Sequence, residues 1–182
     1  MDRAPAPADR APAVAATGRL FAALWPDPAL RRALQAWQAA WTWPPRARPT
    51  PARDLHLTLV FIGAAPVERL PDIEAALATP TPAFELALDE PALWHRRLAV
   101  MACREVPALL AAWQQALADT LRALGLAIET RPYRPHVTLA RSAAGALVPA
   151  GSPPPLRWSP RGHVLAVRDG AHYRVLRRYG AA

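Results

Sequence analysis

The sequence predicts an α+β domain in which antiparallel sheets, flanked by helices, make two lobes related by a pseudo-twofold about a central cleft. Three observations carry this. Short apolar runs of strand character alternate with helical stripes, and hairpin-type turns join several neighbouring strands, which argues against all-α and purely parallel α/β classes. An order of strand, helix and His-bearing strand in the first half returns in the second. The tetrapeptide His56-Leu57-Thr58-Leu59 also returns, as His136-Val137-Thr138-Leu139.

Residues 1–17 are Ala, Pro, Asp and Arg with no hydrophobic period, so they read as a disordered leader, and residues 18–182 as a single two-lobed domain. The run RLFAALW, closed by Pro26-Asp27-Pro28, predicts a buried strand and a helix start. From Ala29 to Trp41, Leu30, Leu34, Trp37 and Trp41 recur every three or four residues and make one apolar stripe, and four prolines then mark a loop. Leu55 to Gly63 reads as a strand, Val67 to Ala78 as a helix, and Phe84–Leu88 and Leu98–Cys103 as two strands able to pair across the loop DEPALWHRR. Pro107 to Leu124 is the clearest helix, with Leu109, Leu110, Trp113, Leu117, Leu121 and Leu124 assigned to one face and Gly125 as its stop. HVTLAR is a further strand, followed by a Gly/Pro/Ala-rich connection through Pro155. A closing hairpin pairs His163–Val167 with His172–Leu176 about an Asp-Gly turn.

Composition narrows the function classes. At 182 residues, 52% hydrophobic and 20% charged, the chain can bury a core of its own. No apolar run reaches the roughly 18 residues of a membrane helix, and the N-terminus lacks the apolar core of a signal peptide, so the expectation is a cytoplasmic protein without a membrane partner. The single cysteine, Cys103, excludes an internal disulfide and a cysteine zinc site, and it reads as a small buried hydrophobe. The net charge is +8, and all 22 basic residues are arginine. Arginine pairs bidentately with phosphate, which favours a phosphate-bearing partner; the absence of lysine beside abundant Ala and Pro equally fits codon bias. Charge therefore sets a direction without naming a substrate.

The doubled His-x-Thr-Leu names the chemistry. Residues i and i+2 of a strand share a face, so each His points with its Thr while the residue between turns to the core. With nine threonines in 182 residues, about one His in twenty meets a Thr two places on by chance. Requiring this twice, with Leu following, takes coincidence to the order of one in a thousand. If the two strands lie side by side at the centre, the imidazoles face one another as an acid and base pair, suited to in-line displacement at phosphorus. The Thr hydroxyls would hold the phosphoryl oxygens. Arg141 lies three residues after Thr138, and strict alternation turns it to the opposite face unless a bulge intervenes. Of the remaining residues, His95, His163 and His172 read as surface or edge positions, Trp37, Trp41 and Trp113 as core, and Trp25 and Trp94 as cleft aromatics. No metal-ligand cluster or Gly-rich phosphate loop is apparent, so neither metal nor cofactor is expected.

In these motifs the sequence resembles the two-histidine phosphoesterases, and within them the bacterial and archaeal RNA 2′,3′-cyclic phosphodiesterases, also called 2′-5′ RNA ligases. The resemblance runs from about Arg19 to Tyr179: RLFAALWPDPALRRAL looks like the opening strand and helix, DLHLTLVFIG and YRPHVTLAR like the two motifs, and LDEPALWHRRLAVMA and HYRVLRRYG are also similar. It implies that His56 is the proton donor and His136 the proton acceptor, that Thr58 and Thr138 contact phosphate, and that Arg141 and Tyr133 stand on the substrate side. It implies opening of a terminal 2′,3′-cyclic phosphate to a 2′-phosphate without a metal or cofactor, weak 2′-5′ ligation in reverse, and a monomer whose partners are RNA ends or small cyclic nucleotides. The motifs themselves are near-symmetric and leave the acid and base roles open. Two other readings stand beside this one: the same chemistry on another cyclic phosphate such as ADP-ribose cyclic phosphate, and an RNA- or nucleotide-binding module without turnover.

Overall fold

The computed structural model describes residues 18–150, 154–170 and 172–180. The expected leader and Ala171 of the last turn lie outside the described residues. Among the described residues, ten strands and three helices follow in the order β1 (Arg19–Leu24), α1 (Pro28–Ala39), β2 (Arg48–Pro49), β3 (Leu57–Gly63), α2 (Leu70–Ala76), β4 (Leu86–Leu88), β5 (Glu90–Trp94), β6 (Leu98–Ala102), α3 (Ala108–Ala123), β7 (His136–Arg141), β8 (Leu156–Trp158), β9 (Gly162–Asp169) and β10 (His172–Gly180). Eight strands form one antiparallel sheet, β10-β9-β1-β3-β7-β6-β5, with β2 added along β7, and β4 pairs β8 in a separate ribbon. The α+β class is as the sequence predicts. The echo is visible as β1–α1–β3 in one half of the sheet and β6–α3–β7 in the other, with the two His-bearing strands adjacent at the centre.

One face of the sheet lies on the helices. Leu30 and Leu34 of α1, Ile73 of α2, and Leu110, Leu117 and Leu121 of α3 pack with Leu20, Leu24, Leu57, Leu59, Met101, Val137 and Leu139 of the strands in one core. Helix α1 starts where expected because Pro28 occupies its first turn and the Asp27 carboxylate accepts from Leu30 N at 2.8 Å. Gly125, at φ +79°, closes α3 in the left-handed conformation that a stop requires. On the opposite face a small cluster of Phe21, Ala23, Val164 and Ala166, flanked by Trp25, Tyr173 and Val175, is left uncovered by helices.

Several elements differ from the sequence reading. The loop DEPALWHRR contains β5, which pairs β6 from Glu90↔Ala102 to Trp94↔Leu98. Pro91 is tolerated there because β5 is a sheet edge, and the turn uses His95 and Arg96 at φ 49° and 56°, a left-handed pair usually marked by Asn or Gly. Strand β4 pairs β8 instead of β6, and β2 lies within the proline-rich loop. Leu109 is 57% exposed: it sits about 100° round the helix from the Leu110, Leu117, Leu121 stripe. Trp41 and Cys103 are buried as expected.

His163 is the clearest correction. It is 1% exposed, not an edge residue, because β9 turns it into the core. There its Nε2 donates to Leu77 O at 3.0 Å, its Nδ1 accepts from the Thr81 hydroxyl at 2.8 Å, and Tyr179 stacks on the ring. Both nitrogens of a neutral ring are thus satisfied, and burial pushes its pKa down. A base with a depressed native pKa stabilises the fold fully above its unfolded value near 6.5, and that stability is lost as pH falls, since the unfolded chain then binds the extra proton. The Tm is expected to fall between pH 7 and pH 5, and to fall less in His163→Gln; equal slopes in thermal melts of the two proteins would contradict this.

Candidate active site

The two halves of the sheet touch through one residue pair. Strands β3 and β7 pair only at Leu57↔Val137, both fully buried, after which β2 takes over the edge of β7 at Pro49↔Ala140 and Arg48↔Arg141. In an antiparallel pair, one step either way from that contact stand His56 beside Thr138 and Thr58 beside His136. The structure therefore brings all four motif residues together. His56 immediately precedes β3 and His136 opens β7.

A matched bulge follows each motif. Ala23↔Thr58 is succeeded by Ala22↔Val60, and Val100↔Thr138 by Ala99↔Ala140, so Leu59 and Leu139 are each the extra residue. Leu59 with Val60, and Leu139 with Ala140, both belong to the core, which returns the next side chain to the histidine face. This is how Arg141 comes onto that face, where it is exposed and its charge acts on both imidazoles. The bulge carbonyls are held from below by the helix of the other half: Gln38 of α1 donates to Leu139 O at 2.7 Å, and Gln114 of α3 donates to Leu59 O at 3.2 Å.

The imidazoles are oriented alike. His56 Nδ1 donates to Asp54 O at 2.6 Å and His136 Nδ1 to Arg134 O at 2.7 Å, so in each neutral ring Nε2 keeps its lone pair for chemistry. His56 packs against Phe21, Trp25 and Tyr173, with Trp25 stacked at 5.4 Å and 10°. His136 packs against Trp94 at 4.6 Å, and the Arg134 guanidinium lies over the same indole at 4.2 Å from its centroid. Both cleft tryptophans of the sequence reading thus contact a histidine. Burial pushes His56 down to about 4, opposed by its bond to Asp54 O and reinforced by Arg141 and His136; Asp54 favours the proton. Burial also lowers His136, with Arg134 and Arg141 adding to the effect and no carboxylate opposing them.

The other expected residues are placed as follows. Thr58 and Thr138 are half-buried on the histidine face. Tyr133 packs against the core, and its hydroxyl donates to Thr58 O at 3.3 Å, while burial raises its pKa. Sequence reasoning missed two groups. Phe61, 52% exposed, occupies after the first bulge the position that Arg141 occupies after the second. Asp54, 2% exposed, occupies before His56 the position that Arg134 occupies before His136. Both were readable by aligning the motifs beyond His-x-Thr-Leu at their constant offset.

A family model described as the 2′-5′ RNA ligase superfamily matches residues 26–170. The chain belongs to that superfamily. Within the 2′-5′ RNA ligase superfamily it is 33% identical over 148 residues to the RNA 2′,3′-cyclic phosphodiesterase of Escherichia coli, covering 78% of this chain and 80% of that one. It is 31% identical over 153 residues to the protein of the same name from Thermus thermophilus, covering 72% and 74%. Its fold is similar to crystal structures of E. coli LigT with 3′-AMP, at TM-score 0.78, 27% identity and coverage of 91% of this chain and 99% of that chain, and with ATP, at TM-score 0.75, 27% identity and coverage of 92% and 99%.

The electrostatics of this superfamily member predict that in the ligand-free protein His56 titrates near pH 4 and His136 below the ordinary histidine range. Replacing Arg141 by Gln should raise both midpoints. Imidazole NMR titration reads this directly, and a midpoint of His56 at or above about 6.5 would contradict it.

Proposed function

We propose that the protein hydrolyses the 2′,3′-cyclic phosphate at the end of RNA, without a metal, and leaves a 2′-phosphate. The observation that carries the reading is the reciprocal His-Thr arrangement about Leu57↔Val137, with both Nδ1 positions occupied by backbone carbonyls and both Nε2 positions left for one phosphoryl group. The names of the E. coli and T. thermophilus relatives support the substrate class.

In this mechanism His136 Nε2 takes a proton from water as the water oxygen bonds to phosphorus. The P–O3′ bond breaks, and O3′ takes the proton from His56 Nε2, so one proton enters and one leaves the pair. The surroundings favour this division of roles. Asp54 acts on His56 and favours its cation, Arg134 acts on His136 and disfavours its cation, and Arg141 disfavours both. Both rings have depressed pKa values in the empty site, so the proton on His56 must be held with the help of the bound phosphate anion. Thr58 and Thr138 contact the non-bridging oxygens, and Arg141 offsets the charge that builds on them. Tyr133 acts through Thr58, and Phe61 offers a face on which a base stacks. Ligation to a 2′-5′ bond follows the same course with a 5′-hydroxyl in place of water: His136 takes the hydroxyl proton as that oxygen bonds to phosphorus, and O3′ leaves with the proton of His56.

On an oligoribonucleotide ending in a 2′,3′-cyclic phosphate, His56→Ala and His136→Ala are each expected to lower kcat by about a hundred- to ten-thousandfold, while the fold is kept. Near-wild-type turnover in both variants would refute the mechanism. Phe61→Ala should raise KM with little change in kcat, which steady-state kinetics on the same substrate would show.

A further inference from the structure

The face of the sheet that carries His56 continues into an arginine-lined cavity that the hydrolytic mechanism does not use. From Thr58, the residues directly opposite across successive strands are Ala23 of β1, Val164 of β9 and Arg178 of β10. These four share a face, and three strand spacings place Arg178 about 14 Å from Thr58. The corresponding row from Thr138 runs through Val100 to Ala92 and stops at the sheet edge without a cation. The two halves therefore match at the histidines and diverge beyond them.

Arg178 lines a cavity of about 550 Å³ together with Arg31, Arg161 and Trp25. Trp25 joins the cavity to the catalytic centre, since it also stacks on His56. Arg161 and Arg178 are exposed, and neither is in an ion pair among the described residues. Arg31 donates to Pro26 O at 3.0 Å, but its Nε is buried without a hydrogen-bond partner. Asp27 is the acidic group among the lining residues, and its carboxylate is engaged by Leu30 N. Three guanidiniums without carboxylate partners, beside an indole, are suited to a phosphodiester with a stacked base.

We infer that this cavity is a subsite for an internal phosphate of an RNA strand, on the 5′ side of the terminal cyclic phosphate. The inference rests on the proposed reaction, because that reaction anchors the 3′ end between His56 and His136. Arg178, about 14 Å from Thr58, lies beyond the phosphate and ribose of a mononucleotide held at the histidines, so its contact selects oligoribonucleotides over nucleoside 2′,3′-cyclic phosphates. The chain then runs over β1 and β9 toward β10.

The test uses the full chain and the double variant Arg161→Gln/Arg178→Gln, leaving Arg31 in place. In fluorescence anisotropy with an oligoribonucleotide ending in a 3′-phosphate, the slope of log K against log salt should become shallower by about 0.7, the contribution of one phosphate on a single strand. An unchanged slope overturns the inference whether or not the protein proves to be a hydrolase, so binding separates this failure from failure of the proposed reaction. In turnover, kcat/KM for a cyclic-phosphate tetranucleotide should fall about tenfold while that for a nucleoside 2′,3′-cyclic phosphate is unchanged. Equal losses on both substrates would overturn it.

Discussion

The single antiparallel contact between Leu57 and Val137 is the constraint on which the site depends. Two buried aliphatic side chains join the halves of the sheet, and because pairing is antiparallel, whatever flanks one is set beside what flanks the other in reverse order. A slip of one residue would turn either His-Thr pair into the core. Each half then adds the same device: an extra leucine in the strand, which swings the third residue after the Thr back onto the open face, and a glutamine from the opposite helix that holds the bulge carbonyl. The reciprocal geometry is thus a packing consequence, fixed before any ligand arrives.

What the halves place in these matched positions is not matched. Asp54 answers Arg134, and Phe61 answers Arg141. Both imidazoles feel Arg141 and both touch aromatic rings, but His56 alone has the buried Asp54 carboxylate and His136 alone has Arg134. In the proposed reaction this difference is what assigns unlike proton-transfer roles to two identical side chains. The aromatic shells add a second effect: they desolvate both rings, so the empty site holds a neutral pair and a bound anion is needed to stabilise a cation there.

Much of this was legible in the sequence. The doubled motif, the repeated strand-helix-strand order, the α1 and α3 stripes with their proline and glycine boundaries, and the requirement of a bulge for Arg141 all rest on local periodicity. What was illegible has a common cause in non-local pairing. Strand β5 hid behind Pro91 and a turn of His95 and Arg96, whose left-handed conformation no residue type announces. Strands β2 and β8 are two and three residues long, below any period. His163 opens the continuous apolar run Val164–Val167, where no period marks a face, and only Thr81 and Leu77, far away in sequence, make it a core residue.

The most direct measurement is the product formed by the wild-type protein from an oligoribonucleotide ending in a 2′,3′-cyclic phosphate, in excess EDTA, with 2′- and 3′-phosphate ends resolved chromatographically. The account predicts conversion to the 2′-phosphate alone. A 3′-phosphate product, or conversion only when a divalent metal is restored, would contradict it.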